Sequence, residues 1–221
     1  MANRKQFQVL VVDANPLTRF GMLSVANLHP LLHVCEEAAD ARAARELYPW
    51  ERPEVVVLDI VLPHGDGIEL LREFARYETK CWYVVVSELC DAGMVQRAFD
   101  AGAQAYVSKR DEAAELLCAL EAVITDGTYV SKIVSQNLRS DVSRRRLEPA
   151  LKLLGNLSDR EMHIFCRIGQ EQGTTAIAQA LGLSVKTVET HQARIKEKLH
   201  LSGSAQLHRV AENWMAAHLG G

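Results

Sequence analysis

The sequence predicts an α/β domain built on a parallel sheet, followed by a small all-helical domain. Three observations predict it. Short apolar runs alternate with helical patterns through the first 126 residues, strand signals stop near Gly127, and only helical patterns follow. The charge also changes sign, from a net −5 over residues 1–150 to +2 over residues 151–221. A chain of 221 residues suffices for two modest domains, and the uneven charge points to different partners for each.

The apolar runs are Phe7–Val12, Leu31–Cys35, Val55–Leu58, Trp82–Val86 and Ala105–Val107. Val55-Val56-Val57-Leu58 lacks polar alternation, as expected of a strand covered on both faces. Helical patterns fall between the runs at about 17–28, 40–49, 66–77, 91–101 and 111–125, with Asp40, Asp66, Asp91 and Asp111 where N-caps are wanted. Five β–α units in succession predict helices on both faces of the sheet, joined by right-handed crossovers. Residues 127–154 read as a linker, with one short helical pattern (Lys132–Leu138), the basic Ser140–Arg146 and Pro149. Ser158-Asp159-Arg160-Glu161 then spells a capping box, and helices follow at about 159–170, 174–181, 185–199 and 205–217. The expected division is 1–126, a linker over 127–154, and 155–221.

Several classes are excluded. No apolar run approaches the roughly 20 residues of a membrane span, and Met1-Ala2-Asn3-Arg4-Lys5 leads into a strand rather than a signal peptide's apolar core. Cys35, Cys81, Cys90, Cys118 and Cys166 are scattered without a C-x-x-C pair, so neither a disulfide framework nor a zinc site is expected. Reduced thiols in a cytoplasmic protein are the expectation.

Ligands of open parallel sheets bind beyond the carboxyl ends of the strands. The first strand ends at Asp13, the third at Asp59, the fourth at Ser87 and the fifth at Lys109, and a strand order of 2-1-3-4-5 brings the four to one edge. Each alone has a bland reading as a cap, turn or solvated residue; four at four strand ends do not. Two carboxylates, a hydroxyl and an ammonium suit phosphoryl capture. A carboxylate can hold the group as an acyl phosphate, a lysine can neutralise its charge, and a hydroxyl can donate to it.

The stretches Val9–Pro16, Leu58-Asp59-Ile60-Val61-Leu62-Pro63, Gly65-Asp66-Gly67, Val86-Ser87 and Tyr106-Val107-Ser108-Lys109 resemble the receiver domain of bacterial two-component response regulators over about residues 6–126. The resemblance implies a flavodoxin-like (βα)5 fold with Asp59 as phosphoacceptor, Asp13 in the acidic pocket and Lys109 pairing the phosphate. Ser87 and Tyr106 would be the switch residues. It also implies Mg²⁺ held by Asp13, Asp59 and the carbonyl of Val61, and a sensor histidine kinase or small phosphodonor as partner. Two departures stand out: Ala14 replaces the second acid of the pocket, which weakens the metal site, and Glu88 adds a negative charge beside Ser87. A receiver working without phosphate is the alternative.

In the C-terminal part, Thr174–Leu181, the turn Gly182-Leu183 and the Ser184-capped Val185–Leu199 form a helix-turn-helix pattern. At 100° per residue Val188, Gln192, Ile195 and Leu199 share one stripe, with His191 at its edge, while Lys186, Thr190, Ala193 and Glu197 face away, flanked by Glu189 and Arg194. Thr190 and Ala193 suit thymine methyls and Glu189 suits cytosine N4. Lys186, Thr187, Arg194, Lys196 and Lys198 suit phosphates. Leu157-Ser158-Asp159-Arg160-Glu161, Ile177-Ala178, Leu183–His191 and Lys198-Leu199 resemble the LuxR-type four-helix DNA-binding domain over about 155–217. Leu207, Val210, Trp214 and Met215 on the last helix read as core, and in that family the same helix pairs two domains.

The whole chain thus resembles a response regulator of the NarL/FixJ type. The resemblance implies a homodimeric regulator of transcription on double-stranded DNA, in which modification near Asp59 moves Ser87 and Tyr106 and alters a receiver face. An adaptor without DNA binding is a second alternative. Enzymatic activity is not expected, because a helical second domain and the absence of a Gly-rich phosphate loop do not serve it.

Overall fold

The computed structural model describes residues 6–77, 80–144 and 153–219. The chain forms two compact units that divide at Gln136/Asn137. In the first, β1 (Phe7–Val12), α1 (Pro16–Leu28), β2 (Leu32–Ala38), α2 (Ala41–Glu51), β3 (Val55–Leu58) and α3 (Gly67–Phe74) follow in turn. Then come β4 (Trp82–Ser87), α4 (Ala92–Asp100), β5 (Ala105–Ser108), α5 (Ala113–Ile124) and β6 (Tyr129–Val130), and α6 (Lys132–Arg144) runs on across the division. All strands are parallel, in the order β2-β1-β3-β4-β5-β6.

The pleat explains the uninterrupted apolar runs. Val9, Val11, Val55, Val57, Val84, Val86 and Val107 point to one face, where Met22, Val25 and Ala26 of α1 and Leu116, Ala119, Leu120 and Val123 of α5 cover them. Their alternates Leu10, Val56, Leu58 and Val85 are fully buried toward the opposite face. Among the buried helical residues are Tyr48 of α2 and Phe74 of α3, their rings stacked 3.9 Å apart.

Register sets the level of the strand ends. Val12 pairs with Leu58, Leu58 with Val85, and Ser87 with Ser108, so the next residues of β1, β3 and β5 emerge on one edge. Gly67 lets α3 start hard against the end of β3. A Cβ there would lie 2.4 Å from Ile60 Cα and 2.5 Å from the Asp59 carbonyl oxygen.

The sequence reading needs four corrections here. Strand signals do not stop at Gly127: Tyr129 and Val130 pair with Ala105 and Tyr106 as a sixth strand, two residues long and therefore without a readable period. The span expected as linker instead carries β6 and the start of α6 into the first unit; Pro149 and the side chains of residues 140–146 lie outside the described residues. Asp40 and Asp66 cap their helices as expected, but Asp111 does not; it accepts from the backbone N–H groups of Ser108 and Ile133. Finally, α3 stops at Phe74, and the N–H groups of Arg76 and Tyr77 bond three residues back in a tightened turn.

The second unit is helical. A 3-10 turn (Leu154–Asn156) precedes α7 (Asp159–Gly169), α8 (Thr174–Leu181), α9 (Val185–Lys198) and α10 (Ser204–Leu219). Ser158 and Glu161 close the capping box that starts α7. Gly182 ends α8 at φ +64°, where an L side chain is disfavoured, and the Leu183 N–H closes the turn onto Ala178 O at 2.8 Å. Ile164, Phe165, Ile177, Val188 and Ile195 are fully buried at the centre. Trp214 is 3% exposed and meets Phe165 edge-on at 5.8 Å, which places it in the core of this unit and leaves little of it for an intermolecular contact.

Candidate functional site

Asp13 and Asp59 are carried to the sheet edge by backbone bonds, from Asp13 N–H to Ala38 O and from Asp59 N–H to Val12 O. Lys109 arrives beside them as its N–H donates to Ser87 O. Its ammonium lies 2.7 Å from Asp13 Oδ2 and 2.6 Å from Asp59 Oδ2, a three-group cluster in which Asp13 is fully buried and Asp59 is 5% exposed. The remaining carboxylate oxygens accept backbone N–H groups, from Asn15 onto Asp13 at 2.7 Å and from Val61 onto Asp59 at 3.2 Å. Burial pushes the Asp59 carboxyl above the usual carboxylate range; the Lys109 charge opposes that and the Asp13 charge reinforces it. Burial alone would lower Lys109, but its two carboxylate partners outweigh it and hold the ammonium above its ordinary value.

Ser87 and Tyr106 meet through a third residue. Ser87 Oγ accepts the Leu89 N–H at 3.3 Å, and the Tyr106 hydroxyl donates to the Leu89 carbonyl. Both side chains are fully buried, so the loop after β4 is tied at one residue to both. Glu88 between them is exposed. Sequence reading missed Arg19, which donates to the Asp13 carbonyl at 2.8 Å and pairs with Glu37 at 3.3 Å; nothing in its local spacing marks it.

A hard cation would find two carboxylates here and the Val61 carbonyl as a further candidate. Ala14 offers no side-chain oxygen, and the Asn15 side-chain oxygen is committed to the N–H groups of Leu17 and Thr18 as the cap of α1. That donor set fits only a largely hydrated Mg²⁺, an ion that often keeps several waters and uses one or two carboxylates.

In the second unit, Lys186, Glu189, Thr190, Ala193, Arg194 and Glu197 are all exposed, whereas Val188 and Ile195 are buried. The outward face of α9 is therefore free of the bundle. Thr187 is half-buried, its hydroxyl 2.8 Å from that of Ser184, and Thr190 turns its hydroxyl back onto Lys186 O at 2.9 Å. Lys196 is half-buried and reaches Ser204 Oγ at 3.4 Å. Lys198, read from the sequence as a phosphate contact, has an acidic partner within the unit. Its ammonium lies 2.6 Å from Glu161 Oε2, because the capping-box carboxylate of α7 is 3% exposed and needs a cation.

Residues 9–121 match the response regulator receiver domain, and residues 155–211 match the bacterial regulatory proteins of the luxR family. The chain is 30% identical over 207 residues to the transcriptional regulatory protein UhpA of Salmonella typhimurium, covering 93% of this chain and 98% of that one. It is 29% identical over 199 residues to the transcriptional regulatory protein LiaR of Bacillus subtilis, covering 90% and 93%. A solved structure of the Salmonella typhimurium RcsB response regulator shares the fold with a TM-score of 0.72 at 21% identity, covering 95% of this chain and 98% of that one. On these matches the chain belongs to the two-component response regulators that join a receiver domain to a luxR-family regulatory domain.

Proposed function

We propose that Asp59 is the phosphoacceptor and that its modification sets how tightly the outward face of α9 binds double-stranded DNA. The observation that supports this most is the Lys109 ammonium bridging Asp13 and Asp59 at 2.7 and 2.6 Å at the edge of a buried sheet. In the transfer, a lone pair of an Asp59 carboxylate oxygen forms the new O–P bond while the donor's bond to phosphorus breaks, P–N in a phosphohistidine or P–O in an acyl phosphate, and the imidazole or carboxylate departs with the electron pair. Lys109 neutralises the phosphoryl oxygens, and Ser87 Oγ is poised to turn from the Leu89 N–H and donate to one of them. Mg²⁺, held by Asp13, Asp59 and the Val61 carbonyl, would supply further charge neutralisation. A sensor histidine kinase or a small acyl phosphate is the donor. Asp59→Asn is expected to abolish the covalent adduct formed with acetyl phosphate, read by intact mass; an undiminished adduct on the variant would move the acceptor elsewhere. Ala14 supports a second reading, a receiver that works without phosphate, and absence of any adduct on the wild type would favour it.

The regulator acts as a homodimer through α1. Leu17, Phe20 and Leu28 are 78%, 66% and 73% exposed and share one face with Gly21 and Ser24. A Cβ at Gly21 would touch nothing within 4 Å among the described residues, whose packing therefore does not require a helix-interior glycine that costs about 1 kcal/mol relative to alanine. Close approach of a second copy does. The three exposed apolar side chains would form the centre of such an interface, which in a standard complex buries about 800 Å² per partner. Phe20→Asp is expected to convert the dimer to monomer in sedimentation and to weaken binding to paired half-sites far more than to a single half-site. An unchanged dimer would remove α1 from the interface.

A further inference from the structure

Helix α6 begins on two acids donated by another part of the receiver. Glu115 of α5, 6% exposed, accepts the backbone N–H of Lys132 at 3.1 Å and the Tyr129 hydroxyl at 2.8 Å. Asp111 accepts the N–H of Ile133 at 3.3 Å through one oxygen and the N–H of Ser108 at 3.1 Å through the other. The first N–H groups of a helix lack intrahelical partners, and carboxylates there also meet the positive end of its dipole. The two acids therefore do for α6 what an N-cap does, from outside the helix. Ser131 ties the same point to β5: its N–H donates to Tyr106 O at 3.0 Å and its hydroxyl accepts the Ser108 N–H at 3.3 Å. Ser131 and Val134 are fully buried, so the first turn of α6 is rooted in the receiver.

The seat adjoins the pocket. Ser108 to Asp111 form one tight turn, closed by the Asp111 N–H onto Ser108 O at 3.0 Å, and that turn contains Lys109. One carboxylate thus holds both the backbone next to Lys109 and the start of α6. We infer that Asp111 is a positioning residue that couples the state of Lys109 to α6, the helix through which the chain leaves the receiver toward the DNA-binding unit. A phosphoryl group on Asp59 draws the Lys109 ammonium away from Asp13, one of the two carboxylates it now bridges; the 108–111 turn follows, and Asp111 either carries the first turn of α6 with it or releases the Ile133 N–H. Either way the change leaves the receiver through α6, by a route that does not use the side-chain bonds of Ser87 and Tyr106 to Leu89. The inference rests on Asp59 as phosphoacceptor for its trigger, but not for the seat itself.

The test is amide hydrogen exchange over residues 131–136 in the full-length protein, with and without acetyl phosphate, and with adduct formation followed by intact mass on the same samples. In the wild type, exchange at Lys132 and Ile133 is expected to change at least threefold on modification. In Asp111→Asn, which keeps the shape but turns one acceptor into a donor, exchange at Ile133 is fast from the outset and modification alters it less than twofold, with an undiminished adduct. Asp111→Ala gives the same pattern if the amide of asparagine finds a substitute bond. Adduct formation with unaltered exchange in the wild type overturns the coupling, as does a full response in both variants. Should the wild type take no adduct, the phosphoacceptor reading fails separately, and the coupling is judged on Asp59→Asn. Loss of that anionic partner is expected to shift exchange at Ile133 at least threefold, and an unshifted Ile133 overturns the inference.

Discussion

Thr190→Glu is expected to lower affinity for the specific DNA site about 100-fold, since a lost base contact and a misplaced charge together amount to about 2–3 kcal/mol. Thr190 lies on the exposed face of α9, with its hydroxyl on Lys186 O, so its replacement touches no buried neighbour. Glutamate is a good helix former, and the fold should persist with an unchanged circular dichroism spectrum. The new carboxylate sits on the face that carries Lys186 and Arg194 and would repel the phosphates of a duplex bound there. Fluorescence anisotropy with a selected site and a scrambled duplex separates the effects: the specific site should lose far more than the scrambled one. Equal binding by wild type and variant would take the outward face of α9 out of the interface.

Lys198→Met is expected to destabilise the helical unit by about 2 kcal/mol at pH 7, less than the ~3–5 kcal/mol of a fully buried pair because the lysine side chain remains partly in water. Methionine keeps the length of the side chain, so the loss isolates the charge. Burial alone would raise the Glu161 carboxyl, but Lys198 and the Ser158 N–H and hydroxyl together hold it below the usual range. A carboxylate depressed in the folded state stabilises above its unfolded pKa, near 4.3, and loses that contribution as pH falls through its folded value. The gap between wild type and variant should therefore be widest near neutrality and narrow below about pH 4. Urea unfolding across pH 3–7 measures it, and a gap that does not depend on pH would mean that Lys198 stabilises by packing alone.

The strands and the pocket were legible because each is written locally. Val55–Leu58 has no polar residue to place at a surface, Asp13 and Asp59 directly follow the last apolar residue of their runs, and Lys109 follows its run after Ser108. The outward face of α9 followed from helical period. What stayed hidden joins residues far apart in sequence. The partner of Lys198 is the capping glutamate of α7, and spacing alone presents Lys198 as another exposed cation at the end of a basic helix. Asp111 carries the residue type and position of an N-cap for α5 yet serves α6, because its carboxylate meets a backbone brought back by β6. That strand, two residues at the sheet edge, is too short to signal itself. Trp214 likewise has the spacing of either core or interface, and only packing on Phe165 decides.

On the proposed mechanism, the charge state at Asp59 governs binding of DNA. The most direct test is one titration of a selected duplex with wild-type protein, untreated and treated with acetyl phosphate, with adduct occupancy measured by intact mass in each sample. Affinity should track the fraction of protein carrying the adduct, and Asp59→Asn should give one curve under both conditions. Equal affinity of fully modified and unmodified wild type for the duplex would show that Asp59 does not control DNA binding.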